Sequence, residues 1–224
     1  SKDIPNFVDA LFETASGFST TGASVLTDVE AISHASLFWR SFTHWIGGMG
    51  VLVFILAVVQ MAGGSNINLM KAESPGPSVG KLVPKMRYTA RILYFIYFSL
   101  TIIEIILLVC GDMHFFDAVT LSFGTAGTGG FGIRNDSIVS YTQYQQWVIT
   151  IFMILFGVNF NFYCFIVLKK FTKAIKMEEV RAYFIIIFTA AAIIFCDVIH
   201  IYPTVGEAIS KSLFQVASII TTTG

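Results

Sequence analysis

Four long apolar stretches constrain this chain more than any other feature. They cover residues 41–62, 92–110, 147–168 and 182–201, and their only formal charges are two acids, Glu104 and Asp197. A helix needs roughly 20 apolar residues to cross a bilayer core of about 30 Å, and each stretch has about that length. Only 12% of the residues are charged, where a soluble domain carries roughly 25%. The sequence therefore predicts an all-α membrane protein rather than a soluble enzyme.

Charge and cysteine content argue against several other classes. The 14 basic residues balance the 14 acidic ones, so the net charge gives no indication of a nucleic-acid partner. Cys110, Cys164 and Cys196 are odd in number, show no CxxC spacing and lie in apolar runs. We expect them to be small buried hydrophobic residues rather than disulfides or metal ligands. With no arrangement typical of nucleophilic or metal catalysis, we expect no enzymatic activity and no cofactor in this chain.

Three further apolar segments, residues 7–18, 115–126 and 207–220, are too short to span a bilayer. Their length favours re-entrant or interfacial helices. Each runs into a Thr/Gly-rich stretch, at 19–22, 127–130 and 221–224. Because non-helical backbone at membrane depth survives only inside protein or beside a water-filled cavity, each segment predicts a short helix followed by a pore loop.

The basic residues predict the orientation in the membrane. Ten of the 14 lie in two connections: Lys71, Lys81, Lys85, Arg87 and Arg91 in the first, and Lys169, Lys170, Lys173, Lys176 and Arg181 in the second. The positive-inside rule places both connections in the cytoplasm. The three short segments then lie on the outer side.

The short segments form an internal repeat. Residues 10–22 align without gaps to residues 212–224, with seven of 13 positions identical. The middle copy matches less well, with Asp117, Ala118, Thr128 and Gly130 in place of Asp9, Ala10, Thr20 and Gly22. Each interval between the aligned glycines holds a span, a basic connection and another span, so the predicted unit is helix, pore loop, helix.

Thr and Gly in such a loop are suited to binding a dehydrated cation. A filter replaces the ion's water with backbone carbonyl oxygens, Gly adopts positive φ at least cost, and the C-terminal end of a helix favours a cation. The predicted ion-binding residues are Thr20, Thr21, Gly22, Thr128, Gly129, Gly130, Thr222, Thr223 and Gly224. Asp9 and Asp117 are the expected N-caps of their helices, with Glu207 in the third copy.

Several motifs resemble those of a known transporter superfamily. Residues 38–41 (Phe-Trp-Arg-Ser), 44–50 (His-Trp-Ile-Gly-Gly-Met-Gly), 124–132 and 156–161 resemble the Trk/Ktr/HKT potassium transporters, and the TrkH branch more than KtrB. The resemblance covers essentially the whole chain. It implies potassium ion as substrate and four helix–pore loop–helix repeats around one pore, with Gly22, Gly130 and Gly224 as filter glycines.

This resemblance also implies the domain organisation. Residues 1–62 would be a first repeat without its outer helix, 63–91 a cytoplasmic loop, 92–168 the second repeat, 169–181 another cytoplasmic loop, and 182–224 a third repeat up to its filter. We expect a piece, truncated at both ends, that could not conduct alone. The family further implies a homodimer surrounded by lipid in the bacterial plasma membrane, with a cytoplasmic nucleotide-binding regulatory subunit of the TrkA/KtrA type.

Two alternative functions are considered. In plant relatives a serine at the first filter glycine accompanies sodium transport, so Gly22 favours potassium, while sodium or sodium-coupled transport through the same pore is the alternative. A non-conducting membrane scaffold or a membrane-embedded enzyme is the alternative of another class.

Polar residues in the spans are expected to be structural. We expect Glu104 and Asp197 to bond a pore helix or loop amides rather than transfer ions, and Asn159 and Asn161 to form interhelical hydrogen bonds. Arg40 and His44 are expected to extend toward the outer interface. The expected role of the glycines of residues 47–50 is close helix packing.

Overall fold

A computed structural model of the chain describes residues 3–50 and 82–224, with backbone alone for 82–90. These ranges contain helices and loops and no strand. The helices are α1 (Phe7–Phe18), α2 (34–50), α3 (Leu82–Cys110), α4 (Phe115–Ala126), α5 (Gln143–Gly157), α6 (Phe160–Val167), α7 (Phe171–Ile175), α8 (Glu178–Val198) and α9 (Val205–Ile220).

The short helices α1, α4 and α9 lie where the sequence predicts them. Their N-caps are Asn6, His114 and Thr204. The prediction that Asp9, Asp117 and Glu207 would cap these helices is therefore wrong. A cap side chain must stand just outside the helix to reach the N–H of its first turn, and these three acids lie inside the first turn. There they still interact favourably with the positive end of the helix dipole.

Two described helices are long and apolar enough to cross a membrane, α3 from Arg91 to Cys110 and α8 from Glu178 to Val198. They correspond to the predicted spans 92–110 and 182–201. The predicted span 147–168 is broken, because α5 and α6 meet at 86°. The predicted span 41–62 begins in α2, and its residues 51–62 lie outside the described residues, as do residues 63–81 of the first basic connection. The second basic connection contains α7.

Tyrosine hydroxyls stabilise the break between α5 and α6. Tyr183 of α8 donates to the carbonyl oxygen of Ile154 at 3.1 Å, and Tyr163 of α6 donates to that of Leu155 at 2.6 Å. Carbonyl groups in the last turn of a helix lack helical partners, and at membrane depth each unsatisfied group is costly. The two hydroxyls therefore allow α5 to end in an apolar environment.

Asn159 joins the break to α8. Its Oδ1 accepts the N–H of Asn161, which caps α6, and its Nδ2 donates to Glu179 Oε2 at 2.6 Å. The interhelical hydrogen bond expected of Asn159 is thus present, while Asn161 contributes its backbone N–H to the cap.

The hydrophobic core lies where α3, α4, α5 and α9 meet. Buried side chains from all four helices contact one another there, among them Tyr97, Leu121, Met153, Phe156 and Ala217. Helix α8 packs on α9, and its other face exposes Ile185, Ile186, Phe188 and Ile193. An apolar face of this size is typical of a membrane-facing surface.

The cysteines divide between core and surface. Cys164 is buried as expected, but Cys110 and Cys196 are exposed, so the prediction is wrong for these two. They lie in α3 and α8, helices that bury one side and expose apolar residues on the other.

Candidate functional site

The three short helices end in the same hydrogen-bonding pattern. In the first copy, Thr20 N–H donates to Gly17 O at 3.1 Å and Thr21 N–H to Ser16 O at 3.0 Å. These bonds form a Schellman motif, which satisfies the last carbonyl groups of a helix. The same pair recurs from Thr128 to Thr125 and Gly129 to Gly124, and from Thr222 to Ile219 and Thr223 to Ser218. We call residues 19–22, 127–130 and 221–224 the first, second and third Thr/Gly loops.

Each Thr/Gly loop places a threonine in left-handed backbone. The φ angles are 55° at Thr20, 51° at Thr128 and 59° at Thr222. Glycine is the usual residue at this position of the motif, and a β-branched residue there is a genuine outlier. Such strain persists only where the surroundings enforce it, and it clusters at functional sites.

A glycine with positive φ ends each loop. The values are 76° at Gly22, 73° at Gly130 and 88° at Gly224. Two of these glycines also allow a close approach between loops. A Cβ on Gly22 would overlap the carbonyl oxygen of Gly129, and a Cβ on Gly130 would overlap that of Thr223. The first loop therefore lies beside the second and the second beside the third, which brings all nine predicted site residues into one region.

Paired hydroxyl groups brace the first and third loops. Ser19 Oγ and Thr21 Oγ1 are 2.7 Å apart, and Thr221 Oγ1 and Thr223 Oγ1 are 2.8 Å apart. Each pair joins the residue that follows the helix to the residue before the glycine that ends the loop. These hydroxyls therefore act from within the loop to hold its backbone.

The second loop is braced by His44 of α2 instead. Glycines 127 and 129 take the places of the hydroxyl residues. A Cβ on Gly129 would lie 2.5 Å from Nδ1 of the His44 ring, and one on Gly127 would overlap the His44 carbonyl. The side chain of His44 is fully buried, so its expected position at the outer interface is wrong. Glycines 127 and 129 thus account for two of the positions at which the middle copy differs from the first.

A buried ion pair holds the chain that follows the first loop. Arg40 Nε donates to Glu13 Oε2 at 2.9 Å, and their side chains are only 6% and 3% exposed. Glu13 Oε1 accepts from Ser24 Oγ and from the N–H of Val25, both at 2.7 Å. The expectation that Arg40 reaches the outer interface is thus also wrong, because its charge is compensated inside the protein.

Arg40 and His44 of α2 both contact Phe131, the residue after Gly130. The His44 ring stacks on it with 4.0 Å between centroids, and the Arg40 guanidinium carbon lies 4.1 Å from its centroid. Arg40 and His44 are four residues apart, the spacing that places side chains on one helix face. That spacing was the available signal for this contact, and sequence reasoning missed it together with Glu13.

Polar contacts also stabilise the chain after the second loop. Arg134 Nε donates to Tyr141 Oη at 3.2 Å, and that hydroxyl donates to Asp117 Oδ2 at 3.1 Å. Burial, with the Asp117 charge as the second cause, raises the pKa of Tyr141 to about 12. The loop that follows Gly130 is thereby joined to the first turn of α4.

Asn135 joins this region to the chain after the first loop. Its Nδ2 donates to Asp28 Oδ1 at 2.8 Å, and its Oδ1 accepts the N–H of Val29 at 2.9 Å. The Asn135 hydrogen bond holds the pKa of Asp28 below its usual value. The segments that follow the first and second loops thus contact each other directly.

The remaining predicted residues take separate positions. Glu104 is fully buried, but neither of its carboxylate oxygens has a hydrogen-bond partner among the described residues, so the expected bond to a pore helix or to loop amides is absent there. Asp197 is exposed at the end of α8. Gly47 and Gly48 permit the close packing expected of them, against Phe18 and Gly127 respectively, whereas a Cβ on Gly50 would meet nothing within 4 Å in the part of the chain that the structure describes. Within residues 3–50 and 82–224, no group of three or more His, Cys, Asp or Glu side chains could hold a metal ion.

The fold matches a solved transporter. The crystal structure of the potassium transporter TrkH from Vibrio parahaemolyticus superposes with a TM-score of 0.80 at 30% sequence identity. The match covers 99% of this chain and 46% of that one. The all-helical architecture with repeated pore loops expected from the sequence is therefore the architecture of this chain.

Curated relatives agree with the structural match. Proteins named Trk system potassium uptake protein TrkH are 32% identical in Escherichia coli K12 and 35% identical in Vibrio parahaemolyticus, and both alignments cover 99% of this chain. The E. coli protein named TrkG is 34% identical over 97% of it. The chain spans about half the length of these relatives, 46–48%. The family model TrkH, described as a cation transport protein, matches residues 1–199. This membrane protein therefore belongs to the TrkH family of cation transport proteins.

Proposed function

We propose that the three Thr/Gly loops form part of a selectivity filter through which potassium ions cross the membrane. The proposal is supported by the names of the relatives, which are potassium uptake proteins. The observation that carries it is the threefold recurrence of one strained backbone in loops that lie side by side. Strained backbone of this kind can turn successive carbonyl oxygens toward one ion path.

The proposed mechanism replaces the water around a potassium ion with carbonyl oxygens of the three loops. Helices α1, α4 and α9 end at these loops, so the negative ends of their dipoles favour a cation there. Gly22, Gly130 and Gly224 provide the positive φ that the loops require. The threonine and serine hydroxyls, and His44 in the second loop, hold the backbone. Potassium is thus the substrate, and the site needs no cofactor of its own.

The same proposal includes the assembly and location. We place the protein in the bacterial plasma membrane as a homodimer, with a cytoplasmic nucleotide-binding subunit of the TrkA/KtrA type. Residues 169–181, which contain five basic residues, would then lie on the side of that subunit.

Uptake measurements test the filter. The complete reading frame that encodes this chain is expressed in cells without their own potassium systems, and initial rates of potassium and sodium uptake are compared between wild type and Gly22→Ser. Gly132→Ser is the matched control, because a Cβ on Gly132 meets nothing closer than 3.6 Å among the described residues and its φ is ordinary.

We expect potassium uptake by the wild type and by Gly132→Ser. In Gly22→Ser we expect potassium uptake to weaken or to turn toward sodium. Unchanged selectivity in Gly22→Ser would contradict the role of Gly22. A wild type that prefers sodium would favour the sodium alternative. A wild type that moves neither ion would indicate either that the cytoplasmic subunit is required or that the protein is a scaffold.

A further inference from the structure

We propose that Glu13 and Arg40 act as a positioning pair that sets the cation preference of the pore. The pair bonds residues 24 and 25, which follow the first loop, and Arg40 contacts the ring of Phe131, which follows the second. The inference therefore rests on the proposed function. Neither residue belongs to the Thr/Gly loops, and neither contacts the ion in this proposal.

The first step is that α1 holds three consecutive residues after Gly22. Ser16 Oγ donates to the carbonyl of Ala23 at 2.6 Å. Glu13 Oε1 accepts from the next two residues, Ser24 and Val25. The direction of the Gly22 carbonyl depends on this segment, because the two are adjacent along the chain.

The second step is that Arg40 connects the segment to the second loop. Its Nε donates to Glu13 and its Nη2 donates to Ser24 Oγ at 3.0 Å. The same guanidinium lies over the ring of Phe131, the residue after Gly130. One buried cation thus contacts the chain that follows two filter-position glycines, and a shift in one loop is transmitted to the other.

The third step is that this arrangement is particular to the first loop. The position aligned with Glu13 is Leu121 in the second copy and Gln215 in the third. A buried ion pair contributes little net stability when compared with a well-packed apolar pair. General helix stability therefore does not account for an ionised side chain at this place, whereas a requirement for fixed backbone next to Gly22 does.

Loss of the pair should change selectivity because a filter distinguishes ions by the position and flexibility of its carbonyls. With residues 24 and 25 free to relax, the carbonyls can close around a smaller ion such as sodium. Removing one partner leaves a buried uncompensated charge and can prevent folding. The double variant Glu13→Leu with Arg40→Met removes both charges together with the acceptor for Ser24 and Val25. Apolar side chains of similar size can replace a buried ion pair, and leucine stands at the aligned position 121 of the second copy, so it is the decisive variant.

The experiment uses the complete protein and measures the ratio of potassium to sodium uptake at matched membrane abundance. The double variant is compared with wild type, with Arg40→Lys and with Lys211→Gln. Lysine keeps the charge of Arg40 but lacks the planar fork that donates in two directions. Lys211 is the control for loss of a partly buried polar contact away from Glu13 and Arg40, since its Nζ donates to Gln146 Oε1 at 2.9 Å and joins α9 to α5.

We expect the potassium preference of the double variant to fall roughly tenfold, which corresponds to about 1.4 kcal/mol. Arg40→Lys should fall between the double variant and wild type, and Lys211→Gln should keep the wild-type ratio. As a second readout, potassium should stabilise purified wild type against heat more than sodium does, and the double variant should lose that difference.

The outcomes separate the two proposals. A wild type without potassium uptake in cells that also contain the cytoplasmic subunit refutes the proposed function itself. A wild type that takes up potassium, together with a double variant that keeps the same ratio, overturns the positioning role and leaves the filter proposal intact. The double variant can also be less abundant while it keeps the wild-type uptake ratio and the wild-type difference between stabilisation by potassium and by sodium. That result would show that the pair is purely structural, and it would also overturn the inference.

Discussion

Replacing Thr128 by glycine should make the protein more stable and its filter less selective. Thr128 has φ of 51°, and left-handed backbone costs an L-residue about 1–2 kcal/mol relative to right-handed backbone. Glycine removes this cost, while its greater freedom in the unfolded chain returns roughly 0.5–1 kcal/mol. The expected net gain spans about 0–1.5 kcal/mol and is centred on about 0.75 kcal/mol, which corresponds to about 1.5–3 °C in Tm on the scale for domains of 150–250 residues.

Thr128→Ala is the matched variant, because alanine keeps a Cβ in the strained conformation and loses only the atoms beyond it. We expect Thr128→Gly to unfold at a higher temperature than Thr128→Ala when the purified complete protein is heated in detergent. Both variants should lose potassium preference in the uptake assay if the threonine side chain supports the filter. A lower Tm for Thr128→Gly than for Thr128→Ala would refute the argument that the backbone of this loop is strained.

Two further predictions concern tyrosine hydroxyls. Tyr183→Phe removes the donor to Ile154 O at the break between α5 and α6, and it should lower the free energy of unfolding by about 0.5–1.5 kcal/mol. Tyr144→Phe is the control, because the Tyr144 hydroxyl bonds Leu107 O at an exposed site and its loss should cost less. Equal losses in the two variants would contradict a special role for the break. Burial and Asp117 raise the pKa of Tyr141 from 10.0 to about 12, so its contribution to stability is full below pH 10 and is lost as the pH rises toward 12. The Tm of wild type should therefore fall more steeply between about pH 10 and about pH 12 than that of Tyr141→Phe, and parallel curves would contradict this assignment.

Hydropathy and repeat register predict the elements of this fold well. Helices α1 and α4 have the predicted bounds, and α9 begins at Val205 rather than at residue 207, because apolar segments of 12–16 residues bounded by turn-forming residues leave few alternatives. The bend between α5 and α6 could not be predicted in this way. Hydropathy reports whether a segment tolerates an apolar environment, and it contains no information on the direction of the helix axis.

The candidate site could be located from the sequence, but its supports could not. Three aligned glycines indicate where the loops lie. The partners of those loops come from elsewhere in the chain: His44 reaches the second loop from α2, and Glu13 bonds residues 11 and 12 positions after it. An apolar stretch with one arginine and one histidine at its start is also typical of a helix end at the membrane surface, so burial of both side chains requires knowledge of the tertiary packing.

The three Thr/Gly loops are held by different side chains but share one backbone conformation. A serine–threonine pair, an imidazole from another helix and a threonine–threonine pair occupy equivalent places. The φ angles of the left-handed threonines nevertheless agree within 51–59°. If side-chain chemistry at these places were what the ion recognises, such different groups would not be interchangeable. The common element is the course of the backbone, so we infer that the carbonyl oxygens recognise the ion and that the side chains are free to vary as long as they enforce this course.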